Sequence, residues 1–484
     1  MIRPLLIIRL LTMPCLWMSL VQLVFAELSF MYFKDGVGRD FAVPAMLTFC
    51  CAMPLLFAFK KYSLPSVNVR EAMLFAALTW FAVGVLGAVP IIHVTQVSFT
   101  DGVFESISAL TTTGATILSG LDELPPSFLM YRQFLQWMGG LGVVIFVVAI
   151  LPMLNIGGMR LLKAETPGPI KDEKLSPRVS STTRYLWMVY LVITLLCAVS
   201  YYFAGMSVFD AIGHSFSTVS TGGFSTHDAS MGYFNSSLML WICNLFMLLG
   251  AINFALHYRV FLARAIKLYW QDEETHAFLI IVALVALLLA VFLYQTQAEQ
   301  GSWNALTQAF FHVISFITST GFAATDFGAW PAVTSIVLIF VGYIGGCAGS
   351  TAGGNKVIRN VISLKSISLE IKRLVHPSGV FTMKFQGRHI SDDIRHSIMG
   401  FMCVAAIVTL VFTLLLMATG MSFMGSLSAT AACLNVLGPG FAELGNNFAP
   451  LSDTGTWLMS FAMILGRLEY FTVLVLFLPA MWRD

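Results

Sequence analysis

The sequence predicts an all-α polytopic membrane protein assembled from four repeats of helix, short re-entrant segment and helix. Three observations carry that prediction. The chain is apolar throughout, its basic residues gather on one side of the alternating spans, and four short apolar segments align with one another without gaps.

Of 484 residues, 57% are hydrophobic and only 11% are charged, at a mean hydropathy of +0.82. Soluble domains carry about 25% charged residues, so a soluble enzyme or binding module is excluded. A hydrocarbon core about 30 Å thick needs about 20 apolar residues per helix. Candidate spans fall at 4–26, 42–59, 71–92, 130–153, 185–204, 236–262, 275–296, 332–344, 396–418 and 455–480. The segment 332–344 reaches span length only by continuing into a glycine-rich stretch. The first segment does not read as a signal peptide, because no small-residue cleavage site follows it.

Of the 27 Lys and Arg residues, 23 fall in the N-terminus, 60–70, 160–184, 259–267, 356–395 and at Arg483. These stretches share one side when the spans alternate, and the positive-inside rule makes that side, with both termini, cytoplasmic. The other side keeps Lys34, Arg39 and Arg132, the last at a helix entrance, while Arg467 sits inside an apolar segment. That side also carries Asp122, Glu123, Asp228, Asp326, Glu443 and Asp453, a negative bias that favours cations. The eight cysteines lie in or beside apolar segments without metal-ligand spacing and read as small hydrophobes.

The short segments 99–115, 208–224, 306–322 and 423–439 contain no Lys or Arg. They are too short to span and too apolar for ordinary loops, which fits helices that enter the membrane and turn back. Anchored on a terminal glycine they read FTDGVFESISALTTTGA, VFDAIGHSFSTVSTGGF, LTQAFFHVISFITSTGF and FMGSLSATAACLNVLGP. The anchors are Gly114, Gly223, Gly321 and Gly438, about 100 residues apart, and repetition at a near-fixed period is an architectural signal. Before them stand Thr111-Thr112-Thr113, Ser220-Thr221-Gly222, Thr318-Ser319-Thr320 and Asn435-Val436-Leu437. A single such segment reads as a helix C-cap; four in register, each between apolar helices, do not. Gly222 competes with Gly223, and Gly440 with Gly438, as the anchor.

A dehydrated alkali cation needs a ring of oxygens, and backbone carbonyls supply one without a full charge that would trap the ion. Aiming consecutive carbonyls at one axis requires unusual φ and ψ and no side chain, which glycine provides. The small Thr and Ser residues brace that backbone or add hydroxyl oxygens. Each short helix also turns its negative dipole end toward the ion, a contribution of about 0.3–1 kcal/mol.

Six motifs, TTTGAT (111–116), GGFSTHDAS (222–230), GGCAGSTAGG (345–354), RLVHP (373–377), NVLGPG (435–440) and GRLEYFT (466–472), carry a family resemblance spread over nearly the whole chain. The sequence resembles the Trk/Ktr/HKT superfamily of potassium transporters, on its branch from bacterial Trk systems. The resemblance implies two extra N-terminal helices (1–70) and four helix–pore loop–helix repeats at 71–183, 184–274, 275–392 and 393–484, forming a pseudo-fourfold pore. It further implies potassium as the transported ion and no covalent cofactor. A homodimer in the bacterial inner membrane is expected, with a cytosolic regulatory subunit of the TrkA kind that holds the nucleotide. No nucleic acid partner is expected.

Two features interrupt the apolar pattern below the glycines. Six glycines among the fifteen residues of GYIGGCAGSTAGGNK (342–356) preclude an uninterrupted helix, since each costs about 1 kcal/mol relative to Ala. No G-x-x-x-x-G-K-[ST] occurs, so a phosphate-binding loop is set aside; a helix-packing face of small residues stays open. The resemblance makes this stretch a gate, with Gly345, Gly346, Gly349, Ser350, Thr351, Gly353 and Gly354 in the loop and Lys356 at its cytoplasmic end. Arg467 must face water or protein, because a guanidinium in hydrocarbon is costly. It pairs with Glu469 or a neighbour, or snorkels, or it places a positive barrier in the ion path, the role of the matching arginine in the resembling family.

His214 and His312 occupy the register position of Glu105 and are expected to pack behind the glycines. Asp101 and Asp210 start the first two short helices and are expected to be N-terminal caps or dipole partners. The basic stretch 356–395 serves topology, a cytosolic regulator or anionic membrane lipid. Competing functions are a proton- or sodium-coupled symporter using Glu469, an intramembrane enzyme, for which no His, Asp, Ser or Cys cluster appears, and a scaffold, which leaves the four segments unexplained.

Overall fold

The computed structural model describes residues 2–59, 68–145 and 176–482. Residues 60–67, 146–175, 483 and 484 lie outside the described residues, and with them most of two basic loops, the end of span 130–153 and Arg483. The fold is helical apart from a two-stranded antiparallel hairpin, Lys384–Phe385 with Arg388–His389. Among the described residues, six helices are long and apolar enough to cross a membrane, or up to eight if each of two bent pairs counts as one span. Their outward faces are apolar, as Leu284, Leu287, Leu288 and Val291 on Glu273–Gln295 illustrate.

The two N-terminal helices, Pro4–Glu27 and Gly38–Ala58, pack on each other and lean on the helix Val69–Thr95. That helix starts on a capping box between Asn68 and Glu71, which satisfies two end donors reciprocally. Arg3 then donates to both carboxylate oxygens of Glu71, at 2.7 and 2.6 Å, fixing the chain's beginning to the first repeat.

The four short segments form helices at Phe99–Leu110, Val208–Val219, Ser302–Ile317 and Phe423–Leu434. Three have serine N-caps: Ser98, Ser207 and Ser422 accept from the amides of Asp101, Asp210 and Gly425. Capping is thus done by the serine three residues earlier, while Asp101 and Asp210 stand in the first turn, where a carboxylate meets the positive end of the helix dipole. Asp210 also accepts from Thr226 and Ser207. The third helix begins four residues before its aligned segment, at Ser302, and its N-cap, Gly301, has no side chain to bond.

Two expected spans are broken. The stretch 236–262 is Ser237–Ala251 followed by Phe254–Ala263, bent by 98°, because Asn253 leaves the helix and caps the next one through the Ala255 amide at 2.8 Å. The stretch 455–480 is Asp453–Arg467 followed by Phe471–Phe477, bent by 110°, with Glu469 and Tyr470 both at positive φ. Buried side chains gather in two large clusters. One joins the N-terminal helices to the first and last repeats, and the other joins the second and third. The four short helices belong to them, the first and fourth mainly to one and the second and third to the other.

Candidate functional site

Each short helix ends in the same backbone path. The residue two before each anchor glycine has left-handed φ: Thr112 (57°), Thr221 (53°), Ser319 (53°) and Val436 (56°). The anchors Gly114, Gly223, Gly321 and Gly438 follow at 82°, 78°, 82° and 97°. The residue before each glycine donates back to the helix, Thr113 to Ser108, Gly222 to Ser217, Thr320 to Ser315 and Leu437 to Ala432, at 2.7–2.9 Å. Gly222 and Gly440 are absent from the positive-φ positions, so Gly223 and Gly438 hold the shared place.

The four glycines meet in a cycle. A Cβ on Gly114 would lie 2.2 Å from the Gly222 carbonyl oxygen, on Gly223 1.9 Å from that of Thr320, on Gly321 2.2 Å from that of Leu437, and on Gly438 2.6 Å from that of Thr113. Every glycine therefore abuts the carbonyl that precedes the next repeat's glycine, and the last repeat returns to the first. Hydroxyls brace this backbone: Thr111 bonds Thr113 at 2.7 Å and Thr318 bonds Thr320 at 2.8 Å, while Thr111 and Thr318 also donate to their helices. The fourth repeat has Asn435, Val436 and Leu437 at these places and lacks that bracing. The second helices of three repeats carry glycines against the short-helix ends, Gly139 on Leu110, Gly250 on Val219 and Gly466 on Leu434.

Above the ring lies a cavity of about 140 Å³ lined by all four anchor glycines, and beyond it one of about 1080 Å³. The larger is bordered by Asp228, Asp326 and Glu443. Asp122 stands beside them, accepting from His227 at 2.5 Å and from the Asp228 amide. Burial alone would raise its carboxyl; the bonds from His227 and Asp228 hold it below the usual range. His214 and His312 pack behind the ring as expected, with ring nitrogens bonded to Asp210 O and Ser225 Oγ, and to Gln308 O and the Ala324 amide.

Below the ring, the helix Ala332–Ile344 stops and the chain runs as a non-helical loop to Lys356 before Val357–Val375. The loop touches three of the four repeats' ring segments. Thr351 donates to Val219 O at 3.1 Å and Gly250 O at 2.9 Å, and meets Thr221 Oγ1 at 3.2 Å. The Gly353 amide donates to Ser319 Oγ at 2.5 Å, and the Gly354 amide to Asn435 O at 3.1 Å. The break in the second repeat grips the same loop: Cys347 N reaches Ala251 O, and Gly349 O accepts from Phe254 N. Of the remaining loop residues, Gly345 and Gly346 start it at the end of Ala332–Ile344, Ser350 bonds Cys347 O, and Lys356 bonds Ala352 O.

Arg467 is buried and donates to Thr351 O at 2.9 Å. It is not paired with Glu469. That carboxylate meets Arg359 at 2.5 Å, so the acid considered for ion coupling already has an ion-pair partner. Sequence reasoning missed Glu274, whose Oε1 accepts from the amides of Ala348 and Ile358 at 2.8 and 3.1 Å, tying both ends of the loop. A carboxylate in the first turn of an otherwise apolar helix was the available signal.

Helices that span, short helices that turn back, and a ring of backbone beneath an acidic antechamber define a membrane protein for moving cations, not an enzyme. The family model of TrkH, a cation transport protein, matches residues 38–483. The chain is 42% identical to the Trk system potassium uptake protein TrkH of Vibrio parahaemolyticus, over 99% of each. It is 40% identical to TrkH of Escherichia coli over 93% of this chain and 94% of that one, and 36% identical to Escherichia coli TrkG over 99% of each. The fold is similar to the crystal structure of the potassium transporter TrkH from Vibrio parahaemolyticus, with a TM-score of 0.91 and 40% identity over all of both chains. The chain belongs to the TrkH family of cation transport proteins.

Proposed function

We propose that the chain takes up potassium across the bacterial inner membrane through a selectivity filter of backbone carbonyls at the four anchor glycines. The cyclic approach of each glycine to the next repeat's carbonyl carries this reading. Such a cycle arranges four like oxygens around one axis, as a dehydrated ion needs. The Trk potassium uptake proteins that match over nearly the whole chain support potassium as that ion. The filter residues are Thr111–Gly114, Ser220–Gly223, Thr318–Gly321 and Asn435–Gly438, one wall from each of the repeats 71–183, 184–274, 275–392 and 393–484 around a pseudo-fourfold axis.

The loop 345–356 is read as the gate, closed in this conformation. Its bonds from Thr351, Gly353 and Gly354 to ring segments support that, as does the Arg467 guanidinium on Thr351 O. A fixed positive charge there raises the barrier to a cation. Opening requires those bonds to part together, which suits control by a cytosolic TrkA-type nucleotide-binding subunit acting on a homodimer whose termini face the cytoplasm. The test is potassium uptake in a bacterial strain lacking its own uptake systems, with each anchor glycine changed to Ser in turn. Loss of uptake or of potassium-over-sodium discrimination is expected, and both retained in all four variants overturn the filter.

A further inference from the structure

The position nine residues before each anchor glycine holds Glu105, His214, His312 and Ala429. In the first three repeats this side chain bonds the segment just past the glycine. In the fourth, Ser428 does so through the Phe441 amide. Only the first repeat uses a full charge, and it is answered by another. Arg132 donates to Glu105 through Nε at 3.0 Å and again through a terminal nitrogen, and both residues are fully buried.

The pair holds more than itself. Thr116 donates to Glu105 at 3.0 Å and accepts from Arg132 at 3.2 Å, while the Ile117 amide donates to Glu105 at 3.1 Å. The guanidinium lies 4.1 Å over the Phe224 ring of the second repeat, and Thr116 O accepts from Phe448 N of the fourth at 2.8 Å. Arg132 also lines the small cavity above the four glycines. At the mouth of a cation path an unneutralised cation would repel entering ions, and a buried charge that loses its partner acts at low dielectric.

We propose that Glu105 and Arg132 are positioning residues for ion selection: together they fix the first wall of the ring against both neighbours, and Glu105 cancels the arginine's field at the mouth. This rests on the reading of the glycine ring as the filter. The protein is purified, its monodispersity and melting temperature are checked, and it is reconstituted in liposomes for potassium and sodium flux. Losing one charged hydrogen bond is worth about tenfold or more. Glu105→Gln is therefore expected to lower potassium-over-sodium discrimination about tenfold and to raise the half-saturating potassium concentration. Arg132→Gln is expected to lower discrimination without raising that concentration, and the double variant restores it while discrimination stays low.

A merely structural pair would change yield and maximal rate but neither readout. Folded Glu105→Gln with wild-type discrimination and half-saturation overturns the proposal, as does a rise in half-saturation in Arg132→Gln as well. If the charge variants do not assemble, Thr116→Val keeps both charges and deletes the bridging hydroxyl; lowered discrimination supports the proposal and unchanged discrimination overturns it. Gly114→Ser, measured in parallel, separates the two claims. If it keeps discrimination, the filter reading falls; if it alone loses discrimination, only the buttress falls.

Discussion

The two halves of the proposed ion path are built on opposite rules. In the ring, four repeats with dissimilar side chains share one backbone path, φ for φ. Beneath it, the second helices of the same repeats diverge. The first, Pro126–Ile145, is continuous as far as it is described, the second bends by 98°, the third gives way to a loop, and the fourth bends by 110°. Recognising a spherical ion needs equal oxygens on all sides, which a repeated backbone supplies. Blocking and releasing it needs one element that moves against others that stay, which repetition cannot supply. The three departures meet: the loop bonds the second repeat's break at Gly250 and Ala251, and Arg467 at the fourth repeat's break bonds the loop.

The comparison is broken most severely at the ring. Serine at Gly223 places a Cβ 1.9 Å from a backbone oxygen, and discrimination is expected to fall by about two orders of magnitude in flux assays. Gly438→Ser, at 2.6 Å, is expected to be the mildest of the four. Equal effects at all four would mean that the clash distances do not set the outcome. In the lower half, deleting 347–352 is expected to raise potassium flux about tenfold with discrimination unchanged. Unaltered flux in a folded variant would remove the loop from gating.

Arg467→Ala is expected to raise flux by a factor of about three to ten, since one fixed charge and one bond to Thr351 are lost. Glu274→Gln keeps the shape but weakens both amide bonds to the loop, for a flux increase of about two- to fivefold. The smallest effect belongs to the antechamber. Asp326→Asn is expected to raise the half-saturating potassium concentration less than about twofold at low ionic strength, and not at all in high salt.

The ring was legible because its constraint falls on residue identity: positive φ with a carbonyl oxygen 1.9–2.6 Å from where a Cβ would lie admits only glycine, and the need recurs four times. The left-handed Thr112, Thr221, Ser319 and Val436 were not legible, because no residue type announces that conformation there. The breaks at Asn253 and at Glu469–Tyr470 were hidden in uniformly apolar stretches whose composition is the same straight or bent. Glu105 and Arg132 were each noticed for where they stand, but a pair joined by tertiary packing has no spacing to read. The serine caps do not stand out in the sequence, because the aspartates three residues on are also good cap formers.

The ring closes between the two ends of the chain, with Gly438 on Thr113 and the Phe448 amide on Thr116. A ribosome makes the first wall long before the last, and contacts so distant in sequence are slow to form. Until the final repeat is inserted, a nascent chain has three walls and no complete set of oxygens to replace an ion's water. If the ring is the filter, the order of synthesis acts as a safety catch: a truncated or stalled product lacks one wall and offers an ion no complete shell of oxygens.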